Sequence, residues 1–378
     1  MLWVQHLMGI GHQRRAASIA RLLCQRGAKV CYVSGGYPLT GLDIGKARLI
    51  QLPSARAADV SYETLLDAHG EPVSPAWQRA RRDMLLTAFD DFRPDVLVTE
   101  SYPFGRSLLR FELEPLIERA HRQKPRPRLL CSVRDIIQPR SDKRNQSIAE
   151  LVRSRFDRVL VHSDPKVVEF SASFPAANAI REQIRYTGYV TGNGVAAATA
   201  GEGAGNGTLV SGGGGVVAKR LLEAAIRARP LSRLRHEPWR VLAGPAISEA
   251  AFQRLQMLAE GSVRVERNRA DFPRLLANCR VSVSQGGYNT LLDIVQARAR
   301  AVIVPFSDGD QAEQSARALL FQQKGLVHVL APETLAADTL AAAIDRAASL
   351  PRPPSGVLDL GGAQRSAELV LGNHEERR

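Results

Sequence analysis

Residues 280–293 read Arg-Val-Ser-Val-Ser-Gln-Gly-Gly-Tyr-Asn-Thr-Leu-Leu-Asp. Arg280–Ser284 has the apolar, β-branched run of a buried strand, and Leu291–Ala297 continues with the pattern of a helix. A strand that stops at Gly286-Gly287 and restarts as a helix offers the first N–H groups of that helix, with the positive end of its dipole, to an anion. Glycine at such a turn lets the backbone approach the anion closely. Asn289 and Thr290 add side-chain hydrogen-bond groups. Asp293 falls about one turn into the helix, where a carboxylate reaches a diol near the mouth, the usual way of holding a ribose.

The next strand, Ala301–Pro305, runs into Phe306–Gln314, Phe-Ser-Asp-Gly-Asp-Gln-Ala-Glu-Gln. That loop brings Asp310, Gln311, Glu313 and Gln314 to the same edge as the glycine pair, and four such side chains suit a sugar ring. The plainer reading is a solvated turn before a helix that begins with acids; adjacency to Gly286-Gly287 favours the sugar. Upstream, Thr208–Ser211 is followed by Gly212–Gly215 and the helix Val216–Arg229. Near the start, Leu2–Leu7 is followed by Met8-Gly9-Ile10-Gly11-His12 and the helix Gln13–Arg26, closed by Gly27. A phosphate-type glycine loop therefore opens each half of the chain.

Further strand-like runs at Lys29–Ser34, Arg48–Leu52, Asp95–Glu100, Arg128–Val133, Arg158–His162, Arg185–Val190, Trp239–Ala243, Ser262–Glu266 and Leu326–Leu330 alternate with helical segments such as Pro75–Phe92. Most are continuously apolar, as parallel strands covered on both faces are. The pattern is α/β, with two Rossmann-like, doubly wound parallel-sheet domains. Residues 196–207 hold only small and polar side chains and read as a linker. We therefore expect an N-terminal domain over 1–195, a C-terminal domain over 208–350, and a tail with a short helix over 351–378.

Neither glycine loop fits a dinucleotide fingerprint. Arg14 stands where the third glycine belongs, and the following strands end in Ser34-Gly35-Gly36 and Ala243-Gly244-Pro245 rather than in an acid. No Gly-Lys-Ser/Thr follows either loop, which excludes a P-loop. The formal charge of +13 invites a nucleic-acid reading, but only seven of the 51 basic residues are lysine and the arginines are dispersed. The densest basic stretch, Arg119–Arg128, lacks interleaved aromatics. No nucleic-acid partner is expected; an anionic sugar nucleotide, or an acceptor carried on an anionic membrane surface, suits the charge better. No apolar stretch is long enough for a span, and the first residues do not read as a signal peptide, so a cytoplasmic protein is expected. The four cysteines have neither CxxC nor metal spacing and read as free thiols.

Gly286–Thr290 followed by Asp293 is similar to the donor-site signature of GT-B glycosyltransferases, and most similar to family 28, which includes MurG. Gln5–Arg15, Arg56–Asp59, Phe104–Glu112, Ser132–Ile136 and Tyr186–Val190 resemble a bacterial branch of MurG-like proteins. The resemblance covers nearly the whole chain. It implies a GT-B fold, two such domains facing a cleft, and transfer of a hexose from a nucleotide diphosphate sugar, a UDP-sugar by likeness. Gly212, Gly213, Gly214 and Gly215, with Gly286 and Gly287, would contact the diphosphate. Asn268 and Arg269 would lie against the base, Asn289, Thr290 and Asp293 would hold the nucleoside, and Glu313 with Gln314 would read the sugar. Asp293 is one methylene shorter than the Glu usual there, and the Asp310–Gln314 loop is one residue longer than in MurG. The terminal helix, Gly362–Leu371, would cross back to the first domain.

His12 ends the first glycine loop at a sheet edge, and a histidine of ordinary pKa takes a proton from a hydroxyl at neutral pH. It resembles the loop histidine of these transferases, with Glu100 matching the acid that orients it. Two roles remain open for each: His12 as base or as acceptor-binding residue, Glu100 as orienting acid or as partner of nearby arginines. Gly9, Gly11, Arg14 and Arg134 fall on the acceptor side; Arg14 and Arg15 would steer an anionic acceptor or solvate the helix start. His162, ending a strand, either lines the acceptor side or is structural. The expected reaction is an inverting displacement at the anomeric carbon, with no metal and no other cofactor, onto a small-molecule or lipid-linked hydroxyl. The alternatives are a sugar-nucleotide epimerase or hydrolase on the same fold, and a non-catalytic sugar-nucleotide-binding protein.

Overall fold

A computed structural model of the chain describes residues 1–7, 9–59, 63–191, 207–212, 218–244, 247–261, 263–269, 271–305 and 312–372. Met1–Asn193 together with Leu358–Arg378 form one compact unit, and Gly194–Val357 a second.

The first unit runs β1 (Leu2–Val4), α1 (Gly11–Gln25), β2 (Cys31–Ser34), β3 (Arg48–Gln51), β4 (Arg56–Ala57), β5 (Leu65–Leu66), α2 (Pro75–Phe92), β6 (Val96–Glu100), α3 (Arg110–Arg122), β7 (Arg128–Arg134), α4 (Asp142–Arg155), β8 (Arg158–His162) and β9 (Ile184–Tyr186). Its sheet has the order β3-β2-β1-β6-β7-β8-β9, with every neighbouring pair parallel. The chain winds outward from β1 to β3 and then crosses to β6 on the other side of β1. The carboxyl ends of β1 and β6 therefore diverge at a switch point, where open α/β sheets bind ligands. β4 and β5 form a small antiparallel pair outside the sheet.

Local chemistry explains many boundaries. Ser74 caps α2 by accepting from the Trp77 N–H at 3.2 Å, and Pro75 sits in its first turn. Ser141 caps α4 in the same way. β1 ends at Val4, short of the expected Leu7, because Gln5 leaves the strand ladder to make buried polar contacts. Its amide donates to the Ala55 carbonyl at 2.8 Å, and its oxygen accepts from Arg81 at 2.8 Å.

Arg81 is wholly buried and spends every N–H it has. Nε donates to Glu112 Oε2 at 2.5 Å, and Nη2 to Glu112 Oε1 at 3.0 Å and to Gln5. Nη1 donates to the carbonyls of Gly35 at 2.8 Å and Pro53 at 2.5 Å. Glu112, equally buried, also accepts the Trp3 indole N–H at 3.1 Å. Gly35 is glycine because a Cβ there would lie 2.3 Å from Arg81 Nη2 and 2.2 Å from the Gln5 oxygen.

The second unit runs β10 (Thr208–Ser211), α5 (Lys219–Ala228), β11 (Trp239–Ala243), α6 (Glu249–Ala259), β12 (Arg264–Arg267), α7 (Phe272–Asn278), β13 (Val281–Ser284), α8 (Tyr288–Gln296), β14 (Ala301–Ile303), α9 (Ala312–Gln323), β15 (His328–Val329) and α10 (Ala337–Ser349). Its sheet, β12-β11-β10-β13-β14-β15, is again parallel throughout and has its switch point between β10 and β13.

The last helix, α11 (Gly362–Leu371), belongs to the first unit. Ala367 and Val370 are buried in one cluster with Leu2, Val4 and Ile19, and Glu368 pairs with Arg26 at 2.8 Å. Among the described residues no helix is long and apolar enough to cross a membrane.

Removing one partner of a buried ion pair leaves the other charge uncompensated. Arg81→Leu is expected to cost about 3–5 kcal/mol in chemical denaturation, and adding Glu112→Leu should recover much of that loss. A double variant as unstable as the single one would show that Glu112 does not need Arg81.

Candidate functional site

At the switch point of the first unit, α1 begins after Ile10 without a side-chain cap, and His12 lies in its first turn. His12 Nδ1 lies 2.9 Å from Glu100 Oε1, at the end of β6. The His12 side chain is 14% exposed and that of Glu100 only 2%. Glu100 also pairs with the buried Arg15 guanidinium, whose Nη2 lies 3.1 Å from His12 Nδ1. Ser132, on the next strand, donates to Glu100 Oε2 at 2.5 Å. Ser101 Oγ, on a residue with φ of 67°, lies 3.3 Å from Oε1.

The charges follow from these contacts. Burial pushes the Glu100 carboxyl up, but the Arg15 guanidinium and the hydrogen bond from His12 outweigh it and hold the group well below the usual carboxylate range. Glu100 is therefore ionised and can only accept. Arg15 Nη2 already donates to Glu100 Oε1, and that oxygen is nearer to Nδ1 than the guanidinium is, so the carboxylate decides the ring: Nδ1 donates to it at 2.9 Å and Nε2 is the basic nitrogen. Burial and the nearby Arg106 keep the His12 imidazole well below its ordinary pKa of 6.5, so it is neutral at pH 7.

A second buried polar group lies behind the loop. Gln13 Nε2 reaches His6 Nδ1 at 3.2 Å and Ser34 Oγ at 3.1 Å, while the Tyr32 hydroxyl donates to Gln13 Oε1 at 2.5 Å. Gly36 lies against the His6 ring, which a Cβ would approach to 2.3 Å. Arg106 donates to the Gln5 carbonyl at 2.8 Å and, after burial, is the second cause holding His6 down to about 4.

In the second unit, β10 and β13 pair in register to Ser211↔Ser284, so Gly212 and Gln285-Gly286-Gly287 leave the sheet side by side. A Cβ on Gly212 would come within 2.3 Å of Ala218 Cβ, at the start of α5. Gly287 caps α8 without a side chain. Gly286 is packed so tightly that a Cβ would meet the Gln314 carbonyl at 3.3 Å, which puts the first turn of α9, with Glu313 and Gln314, beside the glycine turn. Arg317, one turn further and wholly buried, lies over the Tyr288 ring at 5.3 Å. Asn289, Thr290 and Asp293 are half-buried on α8. Asn268 and Arg269 follow β12 at the same edge, and Arg269 pairs with Asp271 at 2.7 Å. Gly213, Gly214, Gly215, Asp310, Gln311 and linker residues 196–206 lie outside the described residues.

Residues 208–353 match the glycosyltransferase family 28 C-terminal domain. The chain carries a family 28 C-terminal domain and has the GT-B fold. Among solved structures it is similar to MurG of Acinetobacter baumannii, with 14% identity, 98% of each chain covered and a TM-score of 0.60. It is also similar to CalG4, the calicheamicin glycosyltransferase, with 17% identity, 98% of this chain and 96% of that one covered, and a TM-score of 0.62. A third is LpCGTa in complex with UDP, with 14% identity, 98% of each chain covered and a TM-score of 0.60. At such identities these likenesses establish the fold. No curated protein matches the sequence.

Arg15 stands elsewhere than the sequence implied. Arg15 neither steers an acceptor nor solvates the helix start; it is buried against Glu100. Arg14 is exposed on α1, and open space lies beside Gly9. Arg134, at the end of β7, pairs in register with His162 of β8 rather than reaching His12 in any described contact. Glu100 contacts both His12 and Arg15. Sequence reading missed Ser132 and Thr187 as partners in this network. Their signal is faint: a polar residue near the end of an apolar run.

The buried histidines make the fold acid-sensitive. His6 is held at about 4 and His162 at about 3, both chiefly by burial. In the unfolded chain each binds a proton near pH 6.5, so below that pH the unfolded state holds more protons and folded stability falls with pH. At pH 4 the loss is about 3 kcal/mol for each histidine. A urea midpoint that stays constant from pH 6.5 to 4 would mean that both rings protonate in place.

Proposed function

We propose that the chain transfers a hexose, with inversion, from a nucleotide diphosphate sugar to an acceptor hydroxyl, with His12 as general base. The observation that carries this is the 2.9 Å contact between His12 Nδ1 and the ionised Glu100 at the sheet's switch point. It leaves Nε2 to take the acceptor proton, in a chain whose other half is a family 28 domain. The acceptor oxygen attacks the anomeric carbon as the bond to the nucleotide diphosphate breaks. The proton moves to His12 Nε2, and the imidazolium that forms is stabilised by Glu100. Arg15 tempers that stabilisation, so the base is a weak one that works only on a proton already leaving.

For the donor, support comes from Gly286-Gly287 at the start of α8, where a helix N-terminus offers backbone N–H groups to a diphosphate, with Gly212 beside them at the end of the neighbouring strand. Asp293 is our candidate for the ribose hydroxyls, Glu313 and Gln314 for the sugar, and Asn268-Arg269 for the base. The relative that carries UDP favours a UDP-sugar. In this reading the dipole of α8 offsets the leaving group's charge without a metal.

Two experiments test the proposal. A thermal-shift panel of UDP-, GDP-, ADP- and dTDP-sugars should show stabilisation by the UDP series, about 2.7 kcal/mol at a hundredfold excess over Kd; no shift with any sugar nucleotide would sink the donor assignment. With the best donor, His12→Ala should keep the shift but lose more than about 100-fold in transfer. Because only neutral His12 accepts a proton, wild-type kcat/KM should be flat above pH 6.5 and fall on the acid side, and that acid limb should vanish in His12→Ala. Near-normal transfer by the variant would eliminate the base role.

A further inference from the structure

Behind Glu100 the polar contacts continue for two more strands. Ser132 Oγ, 2.5 Å from Glu100 Oε2, is also 2.8 Å from His162 Nε2, and His162 Nδ1 is 2.9 Å from Thr187 Oγ1. Ser132, His162 and Thr187 are all buried, and the last two are wholly so. A serine hydroxyl has one proton. Glu100 is ionised and accepts only, so at 2.5 Å that proton lies between Ser132 and the carboxylate. Ser132 then meets His162 with a lone pair, and His162 must present Nε2–H. Its Nδ1 is left bare beside the Thr187 hydroxyl, whose one proton is shared between Nδ1 at 2.9 Å and the Gly188 carbonyl at 2.8 Å. The opposite tautomer would make His162 Nε2 compete for the serine proton and set two acceptor oxygens against each other at 2.5 Å.

We propose that Ser132 and His162 are positioning residues that set the tautomer of His12 through Glu100. The proposal rests on the base role of His12 argued above. The two hydrogen bonds next to the carboxylate point the same way: His162 to Ser132, and Ser132 to Glu100. With Oε2 satisfied from behind, the plane of the carboxylate is held so that Oε1 faces His12 Nδ1 and Arg15. His12 is thereby kept as the Nδ1–H form, with Nε2 toward the acceptor.

The groups that face this row are Arg15 from α1, Tyr32 from β2, Arg106 from the loop after β6, Cys131 from β7 and His162 from β8. Burial holds the Tyr32 phenol and the Cys131 thiol in their protonated forms and His162 in its neutral one. Charge therefore resides on Glu100, Arg15 and Arg106. The row orients rather than conducts: with Arg15 holding Glu100 ionised, a proton taken by His12 has no basic site behind it.

The test needs no substrate. In the full chain labelled with 15N-histidine, ring-nitrogen shifts report tautomer and titration, and the signals are assigned from those lost in His12→Gln and His162→Gln. At pH 7 His12 should be the Nδ1–H form and His162 the Nε2–H form. Ser132→Ala leaves Oε2 without a donor, so the carboxylate pulls harder on His12. The His12 titration should then rise by about one pH unit, a tenfold change in proton affinity. His162→Leu should do the same. His162→Gln, whose amide can donate where Nε2 does, should keep His12 as in the wild type. Finding His162 as Nδ1–H, an unmoved His12 in Ser132→Ala, or identical spectra for His162→Gln and His162→Leu would each overturn the proposal. If the serine and leucine variants do not fold, the two wild-type tautomers decide alone. Correct tautomers with undiminished transfer in His12→Ala would remove the base role and, with it, the catalytic purpose of the row. Wrong tautomers with transfer lost in His12→Ala would remove only this inference.

Discussion

The Arg81 guanidinium has five N–H groups and no water to give them to, and much of the first unit is arranged to supply acceptors. Both oxygens of Glu112, the Gln5 amide and the carbonyls of Gly35 and Pro53 converge on it. Those acceptors come from the ends of β1, β2 and β3 and from α3, so one side chain ties down the loops on one side of the switch point. Gly35 follows as a consequence, since no side chain fits between Arg81 and Gln5. The glycine pair that ends the second strand thus serves packing, which accounts for the missing acid of a dinucleotide site. Gln5 carries the constraint onward, because its carbonyl accepts from Arg106 beside His6 and His12.

Glu100 meets the same physical demand with a different outcome. A buried carboxylate must be given hydrogen bonds or a counter-charge. Arg15 supplies the charge, and His12 and Ser132 supply protons from opposite sides. Because the arginine already neutralises the acid, Glu100 orients His12 more than it raises its basicity. The imidazole stays neutral at pH 7.

Among the described residues at the second unit's switch point, glycines and backbone set the geometry. Gly212 sits against Ala218, and Gly286 against the first turn of α9, each at a distance that excludes any other residue without displacement. The result is a turn lined with peptide groups, with Asn289, Thr290 and Asp293 on the helix that leaves it. The two halves repeat one topology, with a buried cluster of titratable side chains at the switch point of the first and a glycine turn at that of the second.

Much of this was legible along the chain. Continuous apolar runs spaced by helices determine two parallel sheets, because only strands covered on both faces tolerate them. Glycine pairs at strand ends mark the switch points, because a close backbone approach is a local requirement. Strand lengths were less legible: Gln5 and His6 look like the end of a strand, and only their partners, up to 101 residues away, pull them out of it. The roles of Arg15, Ser132 and His162 were decided by tertiary structure alone. Arg15 looks like one more dispersed arginine until strand order sets it beside an acid 85 residues on. His162 meets Ser132, and through it Glu100, only because strand order sets β7 between β6 and β8. Local pattern encodes which residues are turned inward; the partner that sets a buried group's charge and proton comes from strand order, which local spacing does not record.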